Sequence, residues 1–410
     1  MNDTLFAKLQ NFRAALNNAH LERSFIIDGL LATLISKQNA FLLGLPGTGK
    51  SDLIRSICSG IQEVDYFSYL LSPTTDPSEL FGPVAVTKLL NDEYTRDVEG
   101  YLPSAHVAFL DELFRGSSAI LNSLLTLLNE RTFNNGKTTI ITPIQSIVAA
   151  TNSWPDEESL QAFGDRFLFR PTVDSLQKPS SKRQLDQWAL EINPRPEVGV
   201  HLNLDELKQL QTEAQSITIH ENFVDKFSNV CELLDQRNIT ISDRRRVQIL
   251  KFLRAWALVQ GDDTLYPEHL HDSIVHIVYQ TNEDKDAIQE VVNQEIPSAT
   301  KIFGDGKRAA GALMNDFMAE RSKMVNVGNR GLESLNNFVS NLDRNYKDMC
   351  IVYDKINEIL DSSRIKLSAS ERTKGLKLLQ QIEAHKQTMA FSLSEVKGTW
   401  TWKLKANLYV

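Results

Sequence analysis

The sequence predicts an α/β protein: a parallel sheet flanked by helices, followed by a small helical domain and a mainly helical tail with a short β element. Three observations predict it. Short apolar runs alternate with helical periodicity over residues 1–175. The periodicity is helical throughout from Leu204 to about Asn293. Two long patterns with apolar residues three or four apart then run from Leu335 to Leu360 and from Arg372 to Met389. Domains are expected at 1–175, 176–293 and 294–410.

Residues 4–36 open the chain with helical spacing of Leu5, Phe12, Leu16, Phe25, Leu30 and Leu34. Strands are expected at "AFLLG" (40–44), "DYFSYL" (65–70), "HVAFLD" (106–111) and "QSIVAAT" (145–151), with helices over Lys50–Ser59 and Ala119–Asn129. "RTFNNGKTTIIT" has the pattern of a β-hairpin turning at Asn135-Gly136. A polar, Pro-containing stretch at 171–200 marks a domain boundary. A Gly-rich connector over 303–332 leads into the two tail helices, which form an antiparallel hairpin. The last segment, "TWTWKLKANL", alternates like a half-buried strand. Trp400 and Trp402 share one face of it, either as core or as a partner-docking patch.

The net charge of −8 gives no general affinity for nucleic acid or anionic membranes. Residues 301–410 carry 18 Lys/Arg and 12 Asp/Glu, a net +6, which leaves −14 for residues 1–300. Cys58, Cys231 and Cys350 lack metal-ligand spacing, which excludes a structural zinc and fits a reducing cytosol. "MNDTLFAKLQ" lacks the pattern of a secretory signal, and no apolar run approaches the ~18 residues of a membrane helix. A cytoplasmic protein without membrane insertion is expected.

"GLPGTGKS", comprising Gly44, Leu45, Pro46, Gly47, Thr48, Gly49, Lys50 and Ser51, fits G-x-x-x-x-G-K-[ST] between a predicted strand and a predicted helix. Glycines let the backbone turn its N–H groups onto phosphates, Lys50 reaches the β- and γ-phosphates of ATP, and Ser51 holds Mg²⁺. "VAFLDE" is an apolar strand ending in two carboxylates. Asp111 is the candidate second Mg²⁺ ligand and Glu112 the candidate general base for water. Asn152, which ends "VAATN", either forms a turn or orients that water from the neighbouring strand.

These residues, with "ERSFIIDGLLATL", "ELFGPVAV", "AILNSLLTLLNERTFNNG", "FGDRFLFR" and "ISDRRR", resemble the AAA+ ATPases, within them the MoxR family and its RavA-like branch. The resemblance runs from about Glu22 to His276. It implies an AAA+ core with a hairpin inserted in its second helix, a helical lid over 176–293, and hydrolysis of ATP to ADP and phosphate with Mg²⁺. It implies that Asn152 senses the γ-phosphate and that Arg166 is an arginine finger donated to a neighbouring subunit, with Arg170 a second candidate. Arg244 would reach back from the lid to the bound nucleotide, and Arg245 and Arg246 would be solvated or touch a neighbour. A trans-acting finger requires an oligomer, in this family a hexameric ring. The resemblance further implies chaperone-like remodelling of a protein partner, often one with a von Willebrand factor A (vWA) domain. A nucleic-acid motor and an ATP-binding scaffold with little turnover are the alternatives. The acidic first 300 residues and the intact Lys50, Asp111, Glu112 and Asn152 set weigh against them.

"PSELFGPVAVTKLLNDEYTRDVEGYLPSA" is the candidate insert, a short helix and a Gly-Pro break followed by a strand pair, "VAVTK" and "EYTRD". Either it caps the core or it projects to the ring axis and moves with hydrolysis. Phe81 and Gly82-Pro83 are expected to fix its base.

Overall fold

The computed structural model describes residues 3–152, 163–279, 282–296, 299–322, 332–361 and 369–407. They form two compact units, Met1–Glu295 and Ile296–Val410.

The first unit is built on a parallel sheet. Its strands are β1 (Ala40–Leu43), β3 (Tyr66–Leu70), β4 (Val107–Asp111) and β7 (Ser146–Thr151), in the order β1-β7-β4-β3. Between them the chain forms β2 (Ile61–Gln62), which pairs with Leu202–Asn203, and the antiparallel hairpin β5 (Thr132–Asn135) and β6 (Thr138–Ile141). Residues 169–172 extend the sheet beyond β1 by parallel bridges, with Phe41 N–H donating to Phe169 O at 2.8 Å. The stretch expected to open a linker at 171 is therefore still sheet.

Strands buried on both faces must be apolar along their length, and β4 and β7 are. Edge strand β3 is half exposed along its length. Because β7 lies between β1 and β4, the carboxyl ends of all three meet at Gly44, Asn152 and Asp111-Glu112. Order and direction thus gather the motifs that the sequence spaces about 100 residues apart.

Helix α1 (Asp3–Ala19) buries Leu5, Leu9, Phe12 and Leu16, one stripe at helical spacing. Helix α2 (Ser24–Ile35) is buried nearly all round. Helix α3 (Lys50–Ser59) starts at the glycine loop and buries Leu53, Ile54 and Ile57. The helical segment expected as a lid packs on this core through Phe25 and Trp256, ring centroids 5.4 Å apart, and Phe169 and Phe252, 5.6 Å apart.

The insert differs from its expected form. Helix α4 (Pro77–Phe81) is capped reciprocally by Asp76 and Glu79. The expected strand pair reduces to one antiparallel bridge, Val84 to Arg96, and "VTKL" forms the short helix α5 (Val86–Leu89). Its base is fixed as the Gly-Pro pair suggested. Gly82 has φ +90°, and a Cβ there would fall 1.7 Å from Asp97 O. Phe81 stacks on Phe133 of β5 at 5.4 Å. The Asn135 side chain accepts from Arg96 N–H at 2.6 Å and donates to Arg96 O at 3.0 Å, joining insert and hairpin through the main chain. The hairpin turns at Gly136-Lys137, since Asn135 still pairs with Thr138.

The second unit contains three long helices, Ala299–Ser322, Leu332–Asp361 and Ala369–Asn407. Two corrections follow. The expected connector is helical up to Ser322, and Gly306 serves packing: a Cβ there would meet Ile356 Cδ1 at 2.8 Å. The expected terminal β element is instead the end of a helix that runs from Ala369. The side chains of Trp400 and Trp402 lie outside the described residues, as do residues 323–331 of the expected connector. Phe303, Ala310 and Phe317 recur every seven residues, as do Met349 and Ile356, and Ile382, Met389 and Val396. That spacing gives a coiled-coil seam.

Candidate functional site

At the carboxyl edge, Gly47 and Gly49 take φ +79° and +80°, and a Cβ on either would stand in open space. Those left-handed angles open a cradle at the start of α3, where no side chain among the described residues caps the helix. Lys50 is 7% exposed, and its ammonium donates to Gly44 O at 2.7 Å and Leu45 O at 3.0 Å. Burial lowers its pKa, while Asp111 and then Glu112 oppose the shift. A half-desolvated cation bonded to two loop carbonyls suits an anionic ligand. Arg23 braces the loop from outside, donating to Thr48 O at 3.2 Å and Asp174 O at 2.6 Å.

Asp111 ends β4, and its Oδ1 accepts from Glu112 N–H at 3.0 Å. Glu112 adopts φ +51°, a left-handed conformation that turns its side chain out of the strand line. Asn152, at the end of neighbouring β7, donates to Glu112 Oε1 at 2.7 Å. Arg115 lies 3.5 Å from the other oxygen. The expected cluster of phosphate loop, Asp111, Glu112 and Asn152 therefore does assemble. Among the described residues no group of three or more His, Cys, Asp or Glu could hold a metal alone. A cation held by one hydroxyl, one carboxylate and phosphate oxygens, as Mg²⁺ is, fits that donor set.

The arginines lie elsewhere. A cavity of ≈ 110 Å³ is lined by Asn129, Asp165, Arg166, Arg244 and Arg245 among others, and by no residue of the glycine loop. Arg244 donates to Asn129 Oδ1 at 2.9 Å. Asn129 lies in the last turn of helix α6 (Ser118–Glu130), and the carbonyls of Leu128 and Arg166 both accept from Asn39 Nδ2 at 3.3 Å. Asn39 immediately precedes β1, so this cavity lies at the amino edge of the sheet. The four residues of β1 span ~13 Å from there to Gly44. Here the geometry corrects a sequence expectation: Arg244 stands with Arg166, not over the chain's own loop.

Arg170 is a second correction. It is 0% exposed, donates to Ile277 O at 3.3 Å, lies 3.6 Å from Asp165 and packs 5.1 Å from the Tyr279 ring. A fully enclosed guanidinium is not offered to a neighbouring subunit. Arg245 is also buried, where solvation or contact with a neighbouring subunit was expected. It bonds Asp165 O at 3.1 Å and Ile277 O, and burial, then Arg170, lowers its pKa to about 9. Arg246 turns back to Ser228 at 2.8 Å.

Residues 7–212 match the family model of the MoxR domain in the MoxR-vWA-beta-propeller ternary systems. The chain belongs to the MoxR family of AAA+ ATPases. Residues 222–292 match the AAA lid domain, which places the lid after the 176–200 segment. An uncharacterized protein of Methanocaldococcus jannaschii is 35% identical over 286 residues, 70% of this chain and 73% of its own. A second from that organism is 31% identical over 380 residues, 91% and 95% of the two chains. The fold is shared with a crystal structure described as a candidate ATPase of Cytophaga hutchinsonii. Its TM-score is 0.59 at 17% identity, over 72% of this chain and 95% of that one.

Within this MoxR-family chain, sequence reasoning missed Asn39, Asn129 and Arg23. Asn39 and Arg23 border regular elements and donate to carbonyls of distant segments, and Asn129, in the last turn of α6, accepts from Arg244; nothing in the pattern signals these partners. Arg131, at the end of α6, donates to Asn39 Oδ1 at 2.9 Å and Lys37 O at 3.0 Å. Burial lowers its pKa to about 10.

Proposed function

We propose that this chain is a Mg-ATP-hydrolysing, ring-forming ATPase whose turnover remodels a protein partner. The observation that carries hydrolysis is the 2.7 Å bond from Asn152 to Glu112 beside the Lys50 loop. Lys50 binds the β- and γ-phosphate oxygens, and the loop N–H groups wrap them. Ser51 and Asp111 would hold a Mg²⁺, which when bound would offset charge on the phosphoryl oxygens. Glu112 takes the proton of the attacking water. Asn152 fixes the direction of that carboxylate and leaves its outer lone pairs for the water.

The second half of the site comes from another copy. Arg166, with Arg244 beside it, lies too far from its own loop and is offered at the amino edge, where a neighbouring subunit's phosphates complete the site. A closed ring, hexameric in this family, lets every subunit both receive and donate. The match to the MoxR domain of MoxR-vWA-beta-propeller systems supports a partner with a vWA domain.

Turnover of the Glu112→Gln variant tests the reading. The rate should fall by on the order of 100-fold or more while nucleotide binding stays intact. Wild-type turnover would remove Glu112 from its role. The same variant with ATP should retain a vWA-domain protein in a pull-down that the Lys50→Ala variant fails.

A further inference from the structure

We infer that Asn39 is a positioning residue that ties the arginine offered to a neighbouring subunit to the strand entering the chain's own phosphate loop. The inference rests on the trans reading of Arg166 given above. Asn39 is 4% exposed, and its amide uses its full bonding capacity. Nδ2 donates to Arg166 O and Leu128 O, both at 3.3 Å. Oδ1 accepts from Arg131 Nη1 at 2.9 Å and from Ile147 N–H at 3.1 Å. Its own carbonyl accepts from Leu168 N–H at 2.9 Å.

Each partner leads to a working part. Ile147 lies in β7, five residues before Asn152. Leu128 precedes Asn129, which holds Arg244. Arg166 is bonded through its main chain, so its backbone is set by an amide one residue ahead of β1. A shift of β1 or β7 when the loop at their far ends fills or empties therefore reaches both arginines through one side chain. Networks of satisfied buried polar groups are stiff, and they transmit displacement better than apolar contacts that can slide. No ordinary loop asparagine needs four partners from three segments.

The sharpest variant is Asn39→Asp. Its oxygens still accept from Arg131 and Ile147 N–H, but the atom facing Arg166 O and Leu128 O no longer donates. Binding of a fluorescent ATP analogue should stay within about twofold of wild type, with turnover lowered about tenfold. In an Arg166→Ala background the same change should add less than about a twofold further loss, because both act on one element. Excess Glu112→Gln chains, which keep their own Arg166, should restore turnover to Asn39→Asp chains as they do to Arg166→Ala chains.

A multiplicative loss in the double variant overturns the inference. So does rescue of Arg166→Ala without rescue of Asn39→Asp, since Asn39 would then act on its own site. If neither variant is rescued, the trans reading of Arg166 fails first, and the inference with it. Should Asn39→Asp not fold, Asn39→Ser, which keeps one donor and one acceptor, goes through the same comparison with the same deciding outcomes.

Discussion

At the carboxyl edge of the sheet the charged groups stand on loops with open space beside them; at the amino edge they are wedged among carbonyls and rings. Lys50 bonds two carbonyls of its own loop, and Gly47 and Gly49 keep the space around them empty. Arg170 and Arg245 share Asp165 and Ile277 O, and both are buried. The first arrangement leaves charge available to a ligand. The second spends charge on holding segments together, although Arg245 lines the cavity beside Arg166 and Arg244. The same residue type thus has opposite duties within one cluster, and burial is what separates them.

The largest expected effect comes from breaking the amino edge where it faces outward. Arg166→Ala should lower kcat by about 1000-fold, with nucleotide affinity within about twofold of wild type. A proportional loss of affinity would place Arg166 over its own loop instead. Lys50→Ala is the converse test at the carboxyl edge. Nucleotide affinity should drop by about 30-fold, since a charge-assisted contact is lost, while the melting temperature holds or rises because a half-buried cation is removed.

Arg170→Met sharpens the division within the cluster. It leaves Ile277 O and Asp165 to Arg245 alone, removes the guanidinium packed on the Tyr279 ring, and should cost about 3 kcal/mol in urea unfolding. Arg244→Ala, an exposed change, should alter stability by less than about 0.5 kcal/mol and be read in turnover instead. Equal destabilisation by both would end the distinction between structural and offered arginines.

A further effect is one of pH, carried by two buried histidines. His20, near Arg195 and Asp52, and His276, against Phe25, both have pKa values lowered to about 4, chiefly by burial. Their unfolded values lie near 6.5, so below that pH the unfolded chain takes up protons that the folded chain refuses. Stability is therefore full above pH 6.5 and falls as pH drops towards 4, by up to about 1 kcal/mol per pH unit for each group. Urea unfolding of wild type and His276→Phe at pH 7.5, 6 and 5 should show the variant losing less.

The sheet was legible because its strands are apolar runs bounded by Gly, Pro and polar residues. "HVAFLD" was expected at 106–111 and forms Val107–Asp111. The glycine loop, Asp111 and Glu112 were legible because phosphate chemistry requires those residue types in that order. The tail misled for two reasons. Gly304, Gly306 and Gly311 look like breakers, but Gly306 admits Ile356 at close range between helices. "TWTWKLKANL" alternates locally, yet it continues a helix whose seam repeats every seven residues from Ile382. The arginines were hidden by helix phase. In "SDRRR" neighbouring residues point about 100° apart, and only packing decides which is buried.

Asn135 grips only main-chain atoms of Arg96, and Gly82 is constrained by the carbonyl of Asp97. An anchor made of backbone is indifferent to the side chains it carries. Residues 84–95 can therefore diverge in sequence without coming undocked, as a fixed socket accepts interchangeable tools.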